Sequence, residues 1–218
     1  MAVKTEARFL PLYKFCYMRN LLLITTAIAG LSLMAFTIIE TLPIGSTLPK
    51  GDTKVKDISG SEISIKEIKK KNGLLVMFSC NTCPYVIKNQ ERTKAICTYA
   101  NKMDIGVVLL NSNEGNRNSD DSYQAMQDYG KDQQYSWIYA VDKNHVLADA
   151  FGANRTPECY LFDKDLKLVY HGAIDNNPGD EENVSRKHLQ VAINEMTTGK
   201  DVAIKETKSV GCGIKRIR

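Results

Sequence analysis

Two cysteines separated by two residues, Cys80 and Cys83, lie where a buried strand is predicted to meet a helix. The preceding run, Leu74 to Phe78, is continuously apolar, which is typical of a strand covered on both faces. A helix is predicted over residues 86–100, and a helix start presents unpaired N–H groups and the positive end of the helix dipole. A thiolate is stabilised there, and the short spacer lets the two sulfurs form and reopen a disulfide. The pattern predicts a redox-active dithiol, with Pro84 suited to the first helical turn.

A metal site and a purely structural disulfide are the alternatives for this pair. A zinc site needs a second pair of ligands at suitable spacing. The remaining cysteines and the histidines stand singly along the chain, at Cys16, Cys97, Cys159, Cys212, His145, His171 and His188. A disulfide that closes a two-residue loop stabilises a fold only slightly. The redox dithiol is therefore preferred, and no metal site is predicted.

The charge distribution does not indicate a nucleic-acid partner. The formal net charge is +4, but four of the basic residues precede the apolar segment near the N-terminus. From Pro43 onward the chain has 25 Lys plus Arg and 23 Asp plus Glu, which is close to balance. A hydrophobic content of 43% and a length of 218 residues fit one globular domain after an N-terminal segment.

Residues 1–40 are predicted to be a basic cytoplasmic stub followed by an export segment. Positions 21–39 contain no charged residue, and about 20 apolar residues span a bilayer as a helix. The basic flank before them and Glu40 after them predict an internal N-terminus and an external domain. A single-pass membrane anchor, a cleavable signal peptide and a buried soluble helix remain as alternatives, and a start at Met18 instead of Met1 favours the signal peptide. In a bacterium, either export route leads to the periplasm or the exterior, where dithiols can be oxidised.

The rest of the chain predicts an α/β domain over residues 53–200, between a linker at 41–52 and a tail at 201–218. A hairpin is predicted from residues 53–58 and 63–65. The strand at 74–78, the helix at 86–100 and a second apolar strand at 105–111 form a right-handed βαβ unit. Further elements are predicted in this order: a helix that stops at Gly130, a strand at 137–141, a helix at 145–151, a hairpin at 159–162 and 168–171, and a helix at 185–196.

This order of elements resembles the thioredoxin fold, a central mixed sheet flanked by helices. The sequence from Cys80 to Pro84 resembles its active-site motif, and Thr156-Pro157 resembles the cis-proline that lies against the dithiol. Further motifs resemble peroxiredoxin-like redoxin proteins of bacteria, and they are Leu-Asn-Ser-Asn at 110–113, Phe-Gly-Ala at 151–153, Leu-Phe-Asp-Lys-Asp at 161–165, Ile-Asp at 174–175 and Val-Gly-Cys at 210–212.

The resemblance implies a thiol–disulfide oxidoreductase that acts on protein thiols and disulfides and draws on a separate reductant. Cys80, taken as nearest to the helix start, is predicted to attack, and Cys83 to resolve the mixed disulfide. Pro84, Thr156 and Pro157 are the predicted substrate-binding residues. No cofactor is expected beyond the Cys80–Cys83 disulfide itself.

Two alternative functions follow from the same resemblance. Peroxiredoxins carry a threonine three residues before their peroxidatic cysteine, and Cys80 stands at that place relative to Cys83. The absent hydroxyl lowers the expectation of a peroxidase without removing it. A non-catalytic redoxin domain that binds a partner or a metal is the alternative from another class.

Cys159 and Cys212 are predicted as accessory thiols. By strand alternation Cys159 faces the same side as Pro157, which brings it towards the dithiol. Cys212 lies between two glycines in a tail without apolar periodicity, which favours mobility. Either Cys159 is a core residue and Cys212 an idle thiol, or Cys212 folds back and exchanges with the dithiol.

Overall fold

The computed structural model describes residues 40–217. The predicted export segment at 21–39 lies outside that range. Within residues 40–217, no helix is both long enough and apolar enough to cross a membrane.

A seven-stranded mixed sheet forms the centre of the molecule, in the order β2-β1-β5-β4-β3-β7-β8. Its strands are β1 Lys54–Asp57, β2 Glu62–Ser64, β3 Gly73–Ser79, β4 Ile105–Asn111, β5 Ile138–Val141, β7 Glu158–Phe162 and β8 Leu168–Gly172. The pairs β3–β4 and β4–β5 are parallel, and all the others are antiparallel. The short strands β6 Arg155–Thr156 and β9 Cys212–Gly213 pair with each other in a second, two-stranded sheet. The predicted mixed sheet, its βαβ unit and its N-terminal hairpin are confirmed.

Alternate residues of β3 enter two separate cores, one on each face of the sheet. Leu74, Val76 and Phe78 pack on one face, and Leu75 and Met77 pack on the other. All seven residues of β3 are buried, as are all seven of β4. This two-sided burial is why both strands are apolar without alternation.

In the part of the chain that the structure describes, five α-helices flank the sheet: α1 Pro84–Lys88, α2 Gln90–Lys102, α3 Tyr123–Asp132, α4 Val146–Phe151 and α5 His188–Thr197. Helices α2, α3 and α5 cover one face, and α4 covers the other together with a 3-10 turn at Ile65–Ile68. The single helix predicted over 86–100 is divided at Asn89, whose side-chain amide donates to the carbonyl oxygens of Tyr85 and Pro178. Such local hydrogen bonds compete with regular helix geometry.

Gly130 does not stop its helix as predicted but lies inside α3. A Cβ atom at this position would lie 2.4 Å from Cδ1 of Ile58. The glycine therefore allows the helix to approach the loop after β1, and tertiary packing outweighs its weak helix propensity.

The segments predicted as linker and tail both bind to the domain surface. In residues 41–52, the N–H groups of Leu42 and Leu48 donate to the carbonyl oxygens of Phe151 and Leu166, both at 2.9 Å. The tail is attached at Thr207, whose N–H donates to the carbonyl oxygen of His171 at 3.0 Å. It then continues to β9, so the chain returns to the end of the sheet where the dithiol lies.

Candidate active site

The two cysteines of the dithiol differ in their relation to helix α1. Cys83 is the N-cap of α1, and Pro84 is its first residue. Cys80 directly follows β3 and is buried, with 2% of its surface exposed against 4% for Cys83. The sequence pattern predicts Cys80 as nearest to the helix start, whereas in the structure Cys83 holds that position. The stabilising N–H groups of the helix therefore act on Cys83.

Thr156 contacts both sulfurs through different atoms. Its Oγ1 lies 3.4 Å from Cys80 Sγ, and its carbonyl oxygen accepts a hydrogen bond from the Cys83 thiol at 3.2 Å. The peptide bond between Thr156 and Pro157 is cis. The structure thus brings Cys80, Cys83, Thr156 and Pro157 to one place, next to Pro84 at the start of α1.

The surroundings of the two sulfurs favour a thiolate on Cys83. A hydrogen bond from the Cys80 thiol is the largest cause that lowers the pKa of Cys83, to about 4. The Cys212 thiol and the N–H groups of Val86 and Cys212 act in the same direction, while burial opposes them. The pKa of Cys80 is raised by its hydrogen bond to Cys83, by burial and by the charge of Asp121. The neutral form of Cys83 is stabilised by the Thr156 carbonyl oxygen, but more groups stabilise its thiolate.

A buried polar network centred on Asp121 supports the loop between the cysteines. Asp121 Oδ1 accepts from the Asn81 N–H at 3.0 Å and from Asn111 Nδ2 at 2.7 Å, and its Oδ2 accepts from Asn113 Nδ2 at 2.9 Å. The Tyr139 hydroxyl donates to Asn81 Oδ1 at 2.7 Å. The sequence does not separate this role from helix capping, because Asp121 directly precedes Ser122 and both residue types are common at helix starts. The N-cap of α3 is Ser122 alone, whose side chain accepts from the Ala125 N–H.

Cys212 lies at the dithiol although it stands about 130 positions further along the chain. It is half-buried and packs against the small cluster of Cys80, Cys83 and Val86. Its position follows from strand β9, in which Cys212 is paired with Thr156. The tail around it is a paired strand and not the free segment that its glycines suggested.

Cys159 does not approach the dithiol. It is fully buried in the core between the sheet and helices α2 and α5, in the same cluster as Cys97. Burial raises the pKa of both thiols. The predicted alternation from Pro157 fails because β6 and β7 belong to different sheets. Among residues 40–217, no group of three His, Cys, Asp or Glu side chains is arranged to hold a metal ion.

Comparison with known proteins gives a family match over most of this domain. The redoxin family model matches residues 43–187. A comparison with curated proteins found no match. A hypothetical protein from Sinorhizobium meliloti is 28% identical, with a TM-score of 0.74 over 82% of this chain and 97% of the other. An uncharacterized conserved protein from Geobacillus kaustophilus is 27% identical, with a TM-score of 0.75 over 82% and 94%. A putative protein disulfide isomerase from Bacteroides thetaiotaomicron shares the fold at 15% identity, with a TM-score of 0.53 over 72% and 91%.

Proposed function

The chain belongs to the redoxin family, and we propose that it is a thiol–disulfide oxidoreductase whose Cys80–Cys83 pair exchanges disulfides with protein substrates. One observation carries the proposal. Cys83 caps helix α1 beside a second thiol, and both sulfurs face Thr156 at the cis-proline. This exchange requires a nucleophilic thiolate, a second thiol that can break the mixed disulfide between that sulfur and the substrate, and a backbone edge where the substrate docks.

The geometry favours Cys83 over Cys80 as the attacking thiolate, which is the reverse of the order predicted from the sequence. Cys83 Sγ attacks one sulfur of a substrate disulfide, forms a mixed disulfide and releases the first substrate thiolate. Cys80 then loses its proton to a released thiolate and attacks Cys83 Sγ. The Cys80–Cys83 disulfide forms and the second substrate thiol leaves. Two electrons have passed from the protein to the substrate, and an external reductant returns them.

Trapping of mixed disulfides tests the function and the order of attack together. Insulin reduction is measured with dithiothreitol as the reductant. Trapping is measured without dithiothreitol, by adding disulfide-bonded insulin to the reduced Cys83→Ser variant and to the reduced Cys80→Ser/Cys212→Ser double variant. We expect turnover to be lost in both, and the double variant to accumulate substrate on Cys83, because it lacks both thiols that lie next to Cys83. Trapping on Cys80 in Cys83→Ser instead would restore the order predicted from the sequence. Thr82→Ser is the matched control, because Thr82 lies between the cysteines with its side chain exposed.

A peroxidase is the second candidate, and the thiolate-stabilising surroundings of Cys83 favour it as well. Cys83 would attack a peroxide oxygen, release water or alcohol and become a sulfenic acid, which Cys80 would convert to the disulfide with loss of water. Consumption of hydrogen peroxide that depends on Cys83 and exceeds insulin reduction would select this function. A protein inert in both assays that still binds a partner or zinc would select the non-catalytic alternative.

We also propose that the domain is exported, with residues 21–39 as anchor or cleaved signal. The support is the uncharged stretch with its basic N-terminal flank. Expressed in a bacterium, the protein is expected in the membrane fraction, or shortened in the periplasm. Full-length protein in the soluble cytosolic fraction would overturn this proposal.

A further inference from the structure

The tail of the chain occupies the backbone edge at which a substrate peptide is expected to dock. Strand β9 pairs antiparallel with β6, so that Cys212 lies opposite Thr156 and Gly213 opposite Arg155. Thr156 is also the residue that contacts both sulfurs of the dithiol. The tail therefore holds its own cysteine at the place where the cysteine of a docked protein would lie.

Gly211 makes this close approach possible. A Cβ atom there would lie 2.1 Å from the carbonyl oxygen of Thr156, which no side chain can tolerate without moving the strand. At Gly213, on the other side of Cys212, a Cβ atom would have its nearest neighbour, the carbonyl oxygen of Asn154, at 4.0 Å. Only the first glycine is needed for the pairing with Thr156.

Contacts on both sides of Cys212 fix its position. Before it, the guanidinium of Arg155 donates to the carbonyl oxygen of Gly211 at 3.1 Å. After it, the Ile214 N–H donates to the carbonyl oxygen of Asn154 at 3.1 Å, and the Lys215 N–H donates to Asn113 Oδ1 at 2.9 Å. A segment attached at so many points presents Cys212 to the dithiol at a high effective concentration.

We propose that Cys212 is a third redox-active thiol, which forms a disulfide with Cys83 and so makes the tail a built-in substrate of the dithiol. The proposal rests on the proposed function, since it uses the same Cys83 nucleophile. Three observations support it. Cys212 pairs with Thr156, Cys212 packs against Cys80 and Cys83, and Gly211 has no side chain where the two strands approach most closely.

The exchange balances without any further component. After Cys83 has formed a mixed disulfide with a substrate, the Cys212 thiol gives up its proton and attacks Cys83 Sγ. The Cys83–Cys212 bond forms, the bond from Cys83 to the substrate breaks, and the departing substrate thiolate takes up that proton. Cys80 then attacks Cys83 Sγ, so the Cys83–Cys212 bond breaks, the Cys80–Cys83 bond forms and Cys212 returns as the thiol. No electrons are gained or lost in this second step.

Oxidation of the full-length Cys80→Ser variant with glutathione disulfide tests the bond directly. Cys83 attacks the reagent and releases one glutathione, and Cys212 displaces the second. Tryptic mapping without reductant is then expected to show residues 72–88 linked to residues 209–215. In Cys80→Ser/Cys212→Ser that linked peptide is expected to be replaced by glutathione on Cys83. If Cys80→Ser itself yields only the glutathione adduct, Cys212 has no part in the cycle.

Two glycine variants in the Cys80→Ser background test whether strand β9 positions Cys212 next to Cys83, or whether Cys212 reaches Cys83 by random motion of the tail. Gly211→Ala is expected to lower the yield of the linked peptide severalfold, while Gly213→Ala keeps it. Equal yields in the two variants would contradict the proposed role of strand β9. These outcomes are independent of insulin reduction by the wild type. If the wild type does not reduce insulin but the Cys83–Cys212 link forms in Cys80→Ser, only the proposed function is overturned. If the wild type reduces insulin but no such link forms, only this inference is overturned.

Discussion

The carboxylate of Asp121 is fully buried and accepts a hydrogen bond from the backbone N–H of Asn81, at 3.0 Å, in the loop between Cys80 and Cys83. The same carboxylate binds the side-chain amides of Asn111 and Asn113. The end of β4, the start of α3 and the dithiol loop are thus joined at one acceptor. The position of Cys80 and Cys83 relative to the sheet depends on this group.

Asp121→Ala is expected to destabilise the domain strongly. The change leaves three buried donors without an acceptor, and each unsatisfied group costs about 1–3 kcal/mol. We therefore expect a loss of roughly 3 kcal/mol or more in the free energy of unfolding, measured by urea denaturation. Asp120→Ala is the control, because only the backbone carbonyl of the exposed Asp120 binds Asn81. Equal losses in the two variants would refute the network.

The stability of the reduced protein is expected to depend on pH through Cys83. The pKa of this thiol is lowered from 9.0 to about 4 in the folded state, first by the hydrogen bond from Cys80. A group with a lowered pKa stabilises the fold above its unfolded pKa and loses that contribution as the pH falls through the folded one. From pH 5 to pH 8, the wild type should therefore gain stability relative to Cys83→Ser.

Thiolate absorbance at 240 nm provides the independent check on this titration. The wild type is expected to show one thiolate already below pH 6, which is absent from Cys83→Ser. Cys80→Ala removes the main hydrogen-bond donor, so the remaining thiolate should appear at higher pH. An unchanged titration in Cys80→Ala would show that the two sulfurs do not interact.

The centre of the fold could be predicted from the sequence because its signals are local. The apolar runs at 74–78 and 105–111 mark two strands that are buried on both faces. The helix between them is a crossover connection, which predicts that the two strands pair in parallel. The Cys-x-x-Cys at the end of the first run fixes the dithiol at the end of β3. The Thr156-Pro157 motif was found only through resemblance, since nothing in its composition places it beside residues 80–83.

The parts of the site that the sequence did not reveal depend on long-range contacts. Strand β9 has only two residues and therefore shows no periodicity. Its residue Cys212 pairs with Thr156, which lies 56 positions earlier in the chain. Asp121 lies next to Ser122, which is the N-cap of α3. From the sequence alone, a buried hydrogen-bonding role for Asp121 therefore looks the same as a capping role. Strand alternation through Pro157 predicts Cys159 on the side of the dithiol, and this prediction fails because the chain passes from one sheet to the other between β6 and β7.

Arg92 and Asp175 form a buried ion pair whose disruption is expected to be costly. Arg92 NH1 lies 2.7 Å from Asp175 Oδ2, and the two side chains are 9% and 2% exposed. The guanidinium also donates to the carbonyl oxygens of Lys88 and Pro178, which joins the end of α1 to the loop after β8. Removal of one partner leaves a buried charge, so Arg92→Ala should cost about 3–5 kcal/mol in urea denaturation.

Lys94→Ala is the matched control for that variant, since Lys94 pairs with Glu91 on the exposed face of the same helix. Exposed pairs contribute between about 0 and 1 kcal/mol, so the control should remain close to the wild type. A similar small loss for Arg92→Ala would mean that the buried pair does not hold the loop.

The buried thiols of Cys97 and Cys159 are expected to be inert in the native protein. Both are fully buried in the core next to α2, and burial raises the pKa of each thiol. After brief treatment with N-ethylmaleimide at pH 8, peptide mapping should find the label on Cys83 and on the half-buried Cys212. The tryptic peptides that contain Cys97 and Cys159 should take up label only in guanidinium chloride. Native labelling of either peptide would contradict this assignment.

Two substitutions at Cys159 test whether that thiol serves as an apolar core group. The residue lies in β7 opposite Met77 of β3 and Gly172 of β8, with no exposed surface. A serine hydroxyl there has no partner among these apolar neighbours, so Cys159→Ser should be less stable than Cys159→Ala by about 1–3 kcal/mol in urea denaturation. Insulin reduction per folded molecule should be unchanged in both variants. If Cys159→Ala instead abolished turnover while it remained folded, Cys159 would belong to the redox cycle after all.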